Sequence, residues 1–433
     1  MEKNLSIALV GLGFGADFIP IYLNHPLVRK LTIFDTNIQV LEEVGNRFES
    51  ANKARSFEEI LDDKSIDAVH LVTPIPVHAK QTIEVFQSNK HCACTVPMAT
   101  SIKDLLEILK AQKKSDKVYM GMETSVYTRH FIYAQEMLKK DKIGRIQLLR
   151  GAHYQDMEKW PSYWMGLPPM HYATHAISPV LALANTHAKS VHCFGSGVMR
   201  TELINQYNNP YPVETAIFEL EYETPLAAEV TRSLFHTARD YTESFNIYGE
   251  KGTFEWQQLE NDNPVVFEMK PDDKSSHIPS LGRGNKITFE HINVPDRQDL
   301  LPKEIARFTK EEIFNKDKEH LSFIQGGGHH GSHPHLVNEF VLSIHENRQP
   351  WPNGSITANW VAAGICAHES AMDGGRKKLI PNFQKDFEML PKNIRDICEY
   401  GFLTILNNAI QHSGGTEVKI FSEWTQESLE LVP

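Results

Sequence analysis

The segment from Ser6 to Phe18 constrains the fold of this chain more than any other. An apolar, β-prone run ends at Gly11, glycine recurs at Gly13 and Gly15, and a helical pattern follows at once. With Ala16 in the last place the spacing is G-x-G-x-x-A, the Gly/Ala form of a dinucleotide-binding fingerprint that also encloses Phe14. Gly11 would make the tight turn, Gly13 would let backbone approach a pyrophosphate, and Ala16 would allow close helix–strand packing. The phosphates would sit on the free N–H groups and positive dipole end of the following helix. A second apolar run, Leu31 to Phe34, ends in Asp35, about 20 residues further on, where such folds place an acid on the adenosine ribose. A carboxylate there accepts from both ribose hydroxyls and repels a 2′-phosphate. No arginine follows at Thr36 or Asn37, so NAD is expected rather than NADP. Capping of the next helix is the other use such an aspartate has.

A chain of 433 residues exceeds one ordinary core, so two domains are expected. The net charge of -11 argues against nucleic acid or an anionic membrane as partner. No apolar run approaches the length of a membrane span, and Met1 to Asn4 leads straight into the first strand, leaving no room for a signal peptide. Of the five cysteines only Cys92 and Cys94 are close, inside a strand-like apolar run, which suits reduced buried thiols and a cytoplasmic protein.

The first 120 or so residues alternate short apolar runs with helical patterns, the texture of βαβ units and a parallel sheet. Strands are expected over Asp67–Val72 and His91–Val96, and helices over Ile38–Phe48, Val77–Ser88 and Ile102–Lys113. After Gly144 the loops lengthen and aromatics multiply; then strand-like runs occur at 215–222, 227–235, 244–248 and 253–256. The fold class is therefore α/β: an N-terminal Rossmann domain over residues 1–125, then an α+β domain over 126–383 with an open, mostly antiparallel sheet. Residues 261–318 are polar without clear period and are expected as a surface insertion. Residues 384–433 form a C-terminal extension of unknown role.

These pieces together resemble the Gfo/Idh/MocA family of NAD(P)-dependent sugar and inositol oxidoreductases. The likeness covers about residues 5 to 380 and rests on the fingerprint, Asp35, the run Thr73-Pro74-Ile75-Pro76-Val77-His78, Asn89-Lys90-His91 and Gly249-Glu250-Lys251-Gly252. The resemblance implies that Thr73, Pro74 and His78 border the nicotinamide, with Thr95 beside them, and that Tyr127 and Arg129 lie where substrate binds. Two departures stand out. Val96 occupies the place of the lysine that polarises the reacting hydroxyl, and the family's D-x-G-x-H motif reads His171-Tyr172-Ala173-Thr174-His175, so His171 replaces the aspartate.

Oxidising an alcohol needs a hydride acceptor and a base. His175 is the expected base, and His171, four residues earlier, would share its helix face and assist it. A hydrogen-bonded structural pair is the alternative. A divalent cation with Glu123, His153, Asp156 or His333 could replace the lysine, but no ligand spacing is diagnostic and no metal is expected. Near the glycine–histidine segment Gly326 to His335, Ser332 is expected to cap a helix and His333 to line the sugar pocket. Trp164 could stack on a pyranose ring and Asp156 could bind its hydroxyls, unless that aromatic cluster is simply core.

The last 45 or so residues resemble the N-box helix and strand of histidine-kinase ATPase domains, with Asn408 at the magnesium-binding asparagine. Thr404 replaces the usual glutamate and no glycine box follows, so ATP binding is not expected. The expected activity is oxidation of a ring hydroxyl of a sugar, cyclitol or glycoside in a homo-oligomer. The alternatives are a transient-redox glycosidase or lyase and a silent dinucleotide- or sugar-binding regulator.

Overall fold

Every residue of β1 (Leu5–Val10) is buried, as in a strand whose parallel sheet carries helices on both faces. The computed structural model describes residues 4–204, 207–271, 285–310 and 328–384. Around β1 stand β2 (Val28–Phe34), β3 (Asn52–Lys53), β4 (Ala68–Leu71), β5 (His91–Thr95) and β6 (Tyr119–Met122), in the order β3-β2-β1-β4-β5-β6. All neighbours pair in parallel. The order reverses between β1 and β4, and ligands of such sheets bind beyond the strand ends at that point. Helices begin where short polar side chains cap them: Asn37 before Ile38–Arg47, Ser101 before Ile102–Ser115, Thr128 before Arg129–Lys139. The expected elements are present with their ends moved by a residue or two; the helix expected over Val77–Ser88 is His78–Gln87.

The second sheet holds β7 (Ile146–Tyr154), β8 (Ala188–Ser196), β9 (Val213–Leu220), β10 (Ala227–Ser233), β11 (Thr242–Gly249), β12 (Gly252–Glu255), β13 (Val265–Pro271), β14 (Asn285–His291) and β15 (Lys378–Leu379). Their order is β14-β13-β12-β11-β7-β10-β9-β8-β15, antiparallel except where β7 meets β10. The helices Thr174–Leu183 and Gly354–Met372 pack against this sheet. Gly151 on β7 permits the first of these contacts, because a Cβ there would lie 2.2 Å from the Ala176 carbonyl oxygen. On the sheet's other side Leu148, Phe194, Ile217 and Phe289 stand exposed around an Arg150–Glu229 ion pair.

Two expectations need correction. Residues 261–318 are not merely a surface insertion: β13 and β14 pair within them and extend the sheet. Charges alternate through both strands, as is usual near a sheet edge, and this hid the apolar period. Ser332 caps nothing; its hydroxyl is buried without a partner, inside an element Gly328–His345 whose start contains left-handed residues. Cys92, Cys94, Cys193 and Cys366 are buried, and none of them is in a disulfide. Among the described residues no helix is long and apolar enough to cross a membrane. The tail likeness at Asn408 lies outside the described residues.

Candidate active site

At the switch point Gly11 has φ of +90°, and a Cβ on it would sit 2.4 Å from the Val72 carbonyl oxygen. A Cβ on Gly15 would touch the Val72 side chain at 3.3 Å, and Ala16 is buried. A Cβ on Gly13 would meet nothing within 4 Å, so the backbone faces open space at this one position of the turn. Asp35 holds the loop with one carboxylate oxygen, which accepts from Leu12 N at 2.8 Å, while the other accepts from Asn37 N at 2.8 Å. Asn37 rather than Asp35 caps the next helix. These residues fit a dinucleotide: anchored at Gly11 and Gly15, open at Gly13, with an acid at the end of β2.

Across the switch point, Thr73 donates to Gln81 Oε1 at 2.6 Å and Thr95 to the Leu71 carbonyl at 3.3 Å. His78 has Nδ1 2.8 Å from the Pro97 carbonyl oxygen and Nε2 2.6 Å from that of Thr73. Carbonyl oxygens only accept, so the ring donates twice and carries a positive charge. Burial opposes that charge, but the Cys94 sulfur and both carbonyls favour it, and the pKa is raised to about 9. Phe14, Thr73, His78, Thr95 and Val96 line one wall of a cavity of about 610 Å³; Pro74 directs the chain behind it.

His175, on the first turn of the helix Thr174–Leu183, lines the same cavity. Its Nδ1 lies 2.6 Å from Glu123 Oε1 and its Nε2 3.2 Å from the Tyr172 hydroxyl. Glu123 follows β6 directly, at the carboxyl end of a parallel strand. Two residues before it, a Cβ on Gly121 would meet Thr357 Oγ1 at 2.5 Å, so the helix Gly354–Met372 lies flush on this strand. Burial disfavours a charged imidazole, yet Glu123 and Glu243 outweigh it and raise the pKa of His175 to about 8. Burial likewise opposes ionised Glu123, but His175 keeps it below the usual carboxylate range. Beside the pair, the Tyr241 hydroxyl donates to Glu243, and His329 Nε2 lies 3.5 Å from the same carboxylate.

Several expected residues lie elsewhere. His171 sits on the 3-10 turn Pro169–Tyr172, and Ala173, with φ of -107°, separates that turn from the helix. The four-residue spacing therefore does not bring it onto the face of His175. His171 instead meets His368 at 5.0 Å between ring centroids, and burial first, then His368, lowers its pKa to about 3. Tyr127 donates to the Trp351 carbonyl, away from the cavity lining. Asp156 is exposed and accepts from Glu158 N at 3.0 Å; its neighbours Gln155 and Met157 line the cavity in its place. His333 packs between Phe14 and Phe18, while His329 and His330 reach the cavity. Arg129 and Trp164 do line it, and Trp164 also belongs to a core cluster with Leu167 and Phe235. Among the described residues no three His, Cys, Asp or Glu side chains form a metal-holding group.

Glu123 was not expected as the partner of His175, although its place at a parallel strand's carboxyl end was a usable signal. Nor were Tyr241, Glu243, Gln257 and Glu260 expected, which no motif marks.

A family model described as an oxidoreductase family with an NAD-binding Rossmann fold matches residues 5–122, and the Gfo/Idh/MocA C-terminal domain model matches residues 131–255. A glycosyl hydrolase family 109 protein of Bacteroides thetaiotaomicron is 25% identical over 160 residues, 34% of each chain. The chain thus matches about a third of that relative's length. A levoglucosan dehydrogenase solved with NADH and levoglucosan has the same fold, with a TM-score of 0.67 at 18% identity over 88% of this chain and 100% of that one. So does a myo-inositol 2-dehydrogenase of Lactobacillus plantarum, with a TM-score of 0.65 at 15% identity over 88% and 100%.

Proposed function

Because the chain belongs to the Gfo/Idh/MocA family of NAD-binding oxidoreductases, we propose that it oxidises a secondary ring hydroxyl of a sugar, cyclitol or glycoside to a ketone, with His175 as base. Bound NAD supplies the hydride acceptor. Glu123 holds the Nδ1 proton and turns the Nε2 lone pair toward the cavity, where it takes the hydroxyl proton. Tyr172, within reach of Nε2, passes or steadies that proton. With Val96 in place of a lysine, orientation of the hydroxyl falls to His175, Tyr172 and the groups around them. Trp164 and Tyr163 offer flat apolar surface to the ring's C–H faces. The observation that carries this reading is the 2.6 Å Glu123–His175 pair, whose imidazole lines the same cavity as the switch-point residues Phe14, Thr73 and Thr95.

Absorbance of the reduced nicotinamide, followed with NAD and a panel of sugars, cyclitols and glycosides, tests it. A His175→Ala variant should lose about 10²- to 10⁴-fold in kcat and keep its affinity for NAD by calorimetry. Activity that survives the substitution removes His175 from the role. A transient-redox glycosidase is the second reading, favoured by the Tyr172 hydroxyl 3.2 Å from Nε2, a second proton-handling group beside the first. Glycoside cleavage without net reduced nicotinamide would select it. Buried cysteines outside any disulfide fit a reducing, cytoplasmic setting, and the exposed apolar side chains on the second sheet fit self-association.

A further inference from the structure

Two adjacent imidazoles on one turn reach two different parts of the cavity. The ring of His329 stacks near that of His175, 6.1 Å between centroids, at the reaction centre. His330 turns away; its Nε2 lies 2.8 Å from Glu260 Oε1, and its ring meets Trp256 at 5.1 Å and His130 at 4.7 Å. The divergence requires three consecutive left-handed residues, His329, His330 and Gly331, with φ of 46°, 52° and 82°. Non-glycine residues in that region are strained and persist where surrounding structure over-determines them. Gly331 is obligatory, since a Cβ there would lie 2.7 Å from the Thr309 carbonyl oxygen.

The place His330 reaches has unmet hydrogen-bonding capacity. Gln257 is only 6% exposed, lines the cavity, and its Oε1 has no partner. Glu260 is anchored by His330 through one oxygen, while Oε2 is buried and unpartnered. A buried acceptor without a donor is costly, so two together mark a place where a ligand's donors belong. The exposed amides of Asn261, Asn263 and Asn293 complete the lining on this side. Every one of these groups follows β12 in sequence, and none belongs to the glycine-turn half that would hold the dinucleotide.

We propose that Gln257 and Glu260, with the asparagines at their rim, form a second subsite that holds another hydroxylated ring. The substrate is then a glycoside, oxidised in the ring at His175 and held through hydroxyl donors in the ring across the glycosidic bond. This deepens the function proposed above and rests on it.

The test compares disaccharides of glucose, galactose and their N-acetylated forms with the component monosaccharides. Turnover with NAD is followed both as reduced nicotinamide and as released sugar, and binding is followed by calorimetry. The best disaccharide should exceed its monosaccharide at least about tenfold in kcat/KM and in affinity. Gln257→Leu should bring that ratio down about tenfold. Asn261→Ala with Asn263→Ala, at exposed positions that cannot unfold the core, should lower it in the same direction. A wild-type ratio near one, or a ratio unmoved by both variants, overturns the inference while leaving monosaccharide oxidation at His175 standing. If neither class of sugar binds or turns over, the proposed function fails and takes the subsite with it.

Discussion

Glu123 decides which nitrogen of His175 carries a proton, and through its charge it sets the pH at which that ring can act. A base must be neutral, and the pKa of His175 is raised to about 8, so oxidation should climb as pH rises through that value. Glu123→Gln removes the principal anion beside the ring. The limb of the kcat/KM profile should then move to lower pH while kcat falls, and an unmoved limb would deny Glu123 its role. His78 presents the opposite case, a charge kept for structure. Its pKa is about 6.5 unfolded and raised to about 9 folded, so its stabilisation is fully present below about pH 6.5 and lost as pH rises through 9. His78→Gln carries both its N–H groups on one nitrogen, cannot meet the two carbonyls from separate ring positions as the imidazole does, and should cost about 2 kcal/mol in denaturant unfolding at pH 6, less at pH 9.5. His175 was legible because a motif marked it. Glu123, 52 residues upstream, was marked only by its place at a strand end, because only the fold brings that strand end and a helix start together.

Among the elements, the glycine turn separates stability from binding. Gly13→Ala places a methyl in open space, so the unliganded protein should melt as before, whereas NAD affinity should fall at least about tenfold by calorimetry. Gly11→Ala combines a φ of +90° with a 2.4 Å clash and should lower the melting temperature as well. Equal melting losses in both variants would mean that Gly13 is also structural. The parallel strands were legible because burial on both faces makes them continuous apolar runs. The 171–175 spacing misled because i, i+4 places side chains together only on an unbroken helix, and Ala173 breaks this one. Residues Val265–Pro271 and Asn285–His291 were unreadable as strands because their charges follow the edge of the sheet rather than a buried face.

For the whole molecule, a ligand that binds only the folded chain stabilises it by mass action. NAD at 100 times its dissociation constant should add about 2.7 kcal/mol to unfolding, read as a rise in melting temperature that Gly13→Ala cuts to about half or less. The second sheet's exposed apolar side chains, Phe194 and Ile217 among them, should pair copies in solution. Light scattering should give a multiple of the chain mass, and Ile217→Asp should return a single chain; a monomeric wild type would refute this. The two-sheet plan was readable from the change in texture along the sequence. The cavity was not, since its lining is drawn from segments as distant as Phe14 and His330.

The contact between Gly121 and Thr357 ties the site to a helix that does not line the cavity. The strand that delivers the carboxylate is wedged in position by the helix Gly354–Met372, so damage to that distant brace would reach the imidazole through its partner. A polypeptide cut before residue 354 could still build the six parallel strands, yet it would lack the helix that holds Glu123 beside His175.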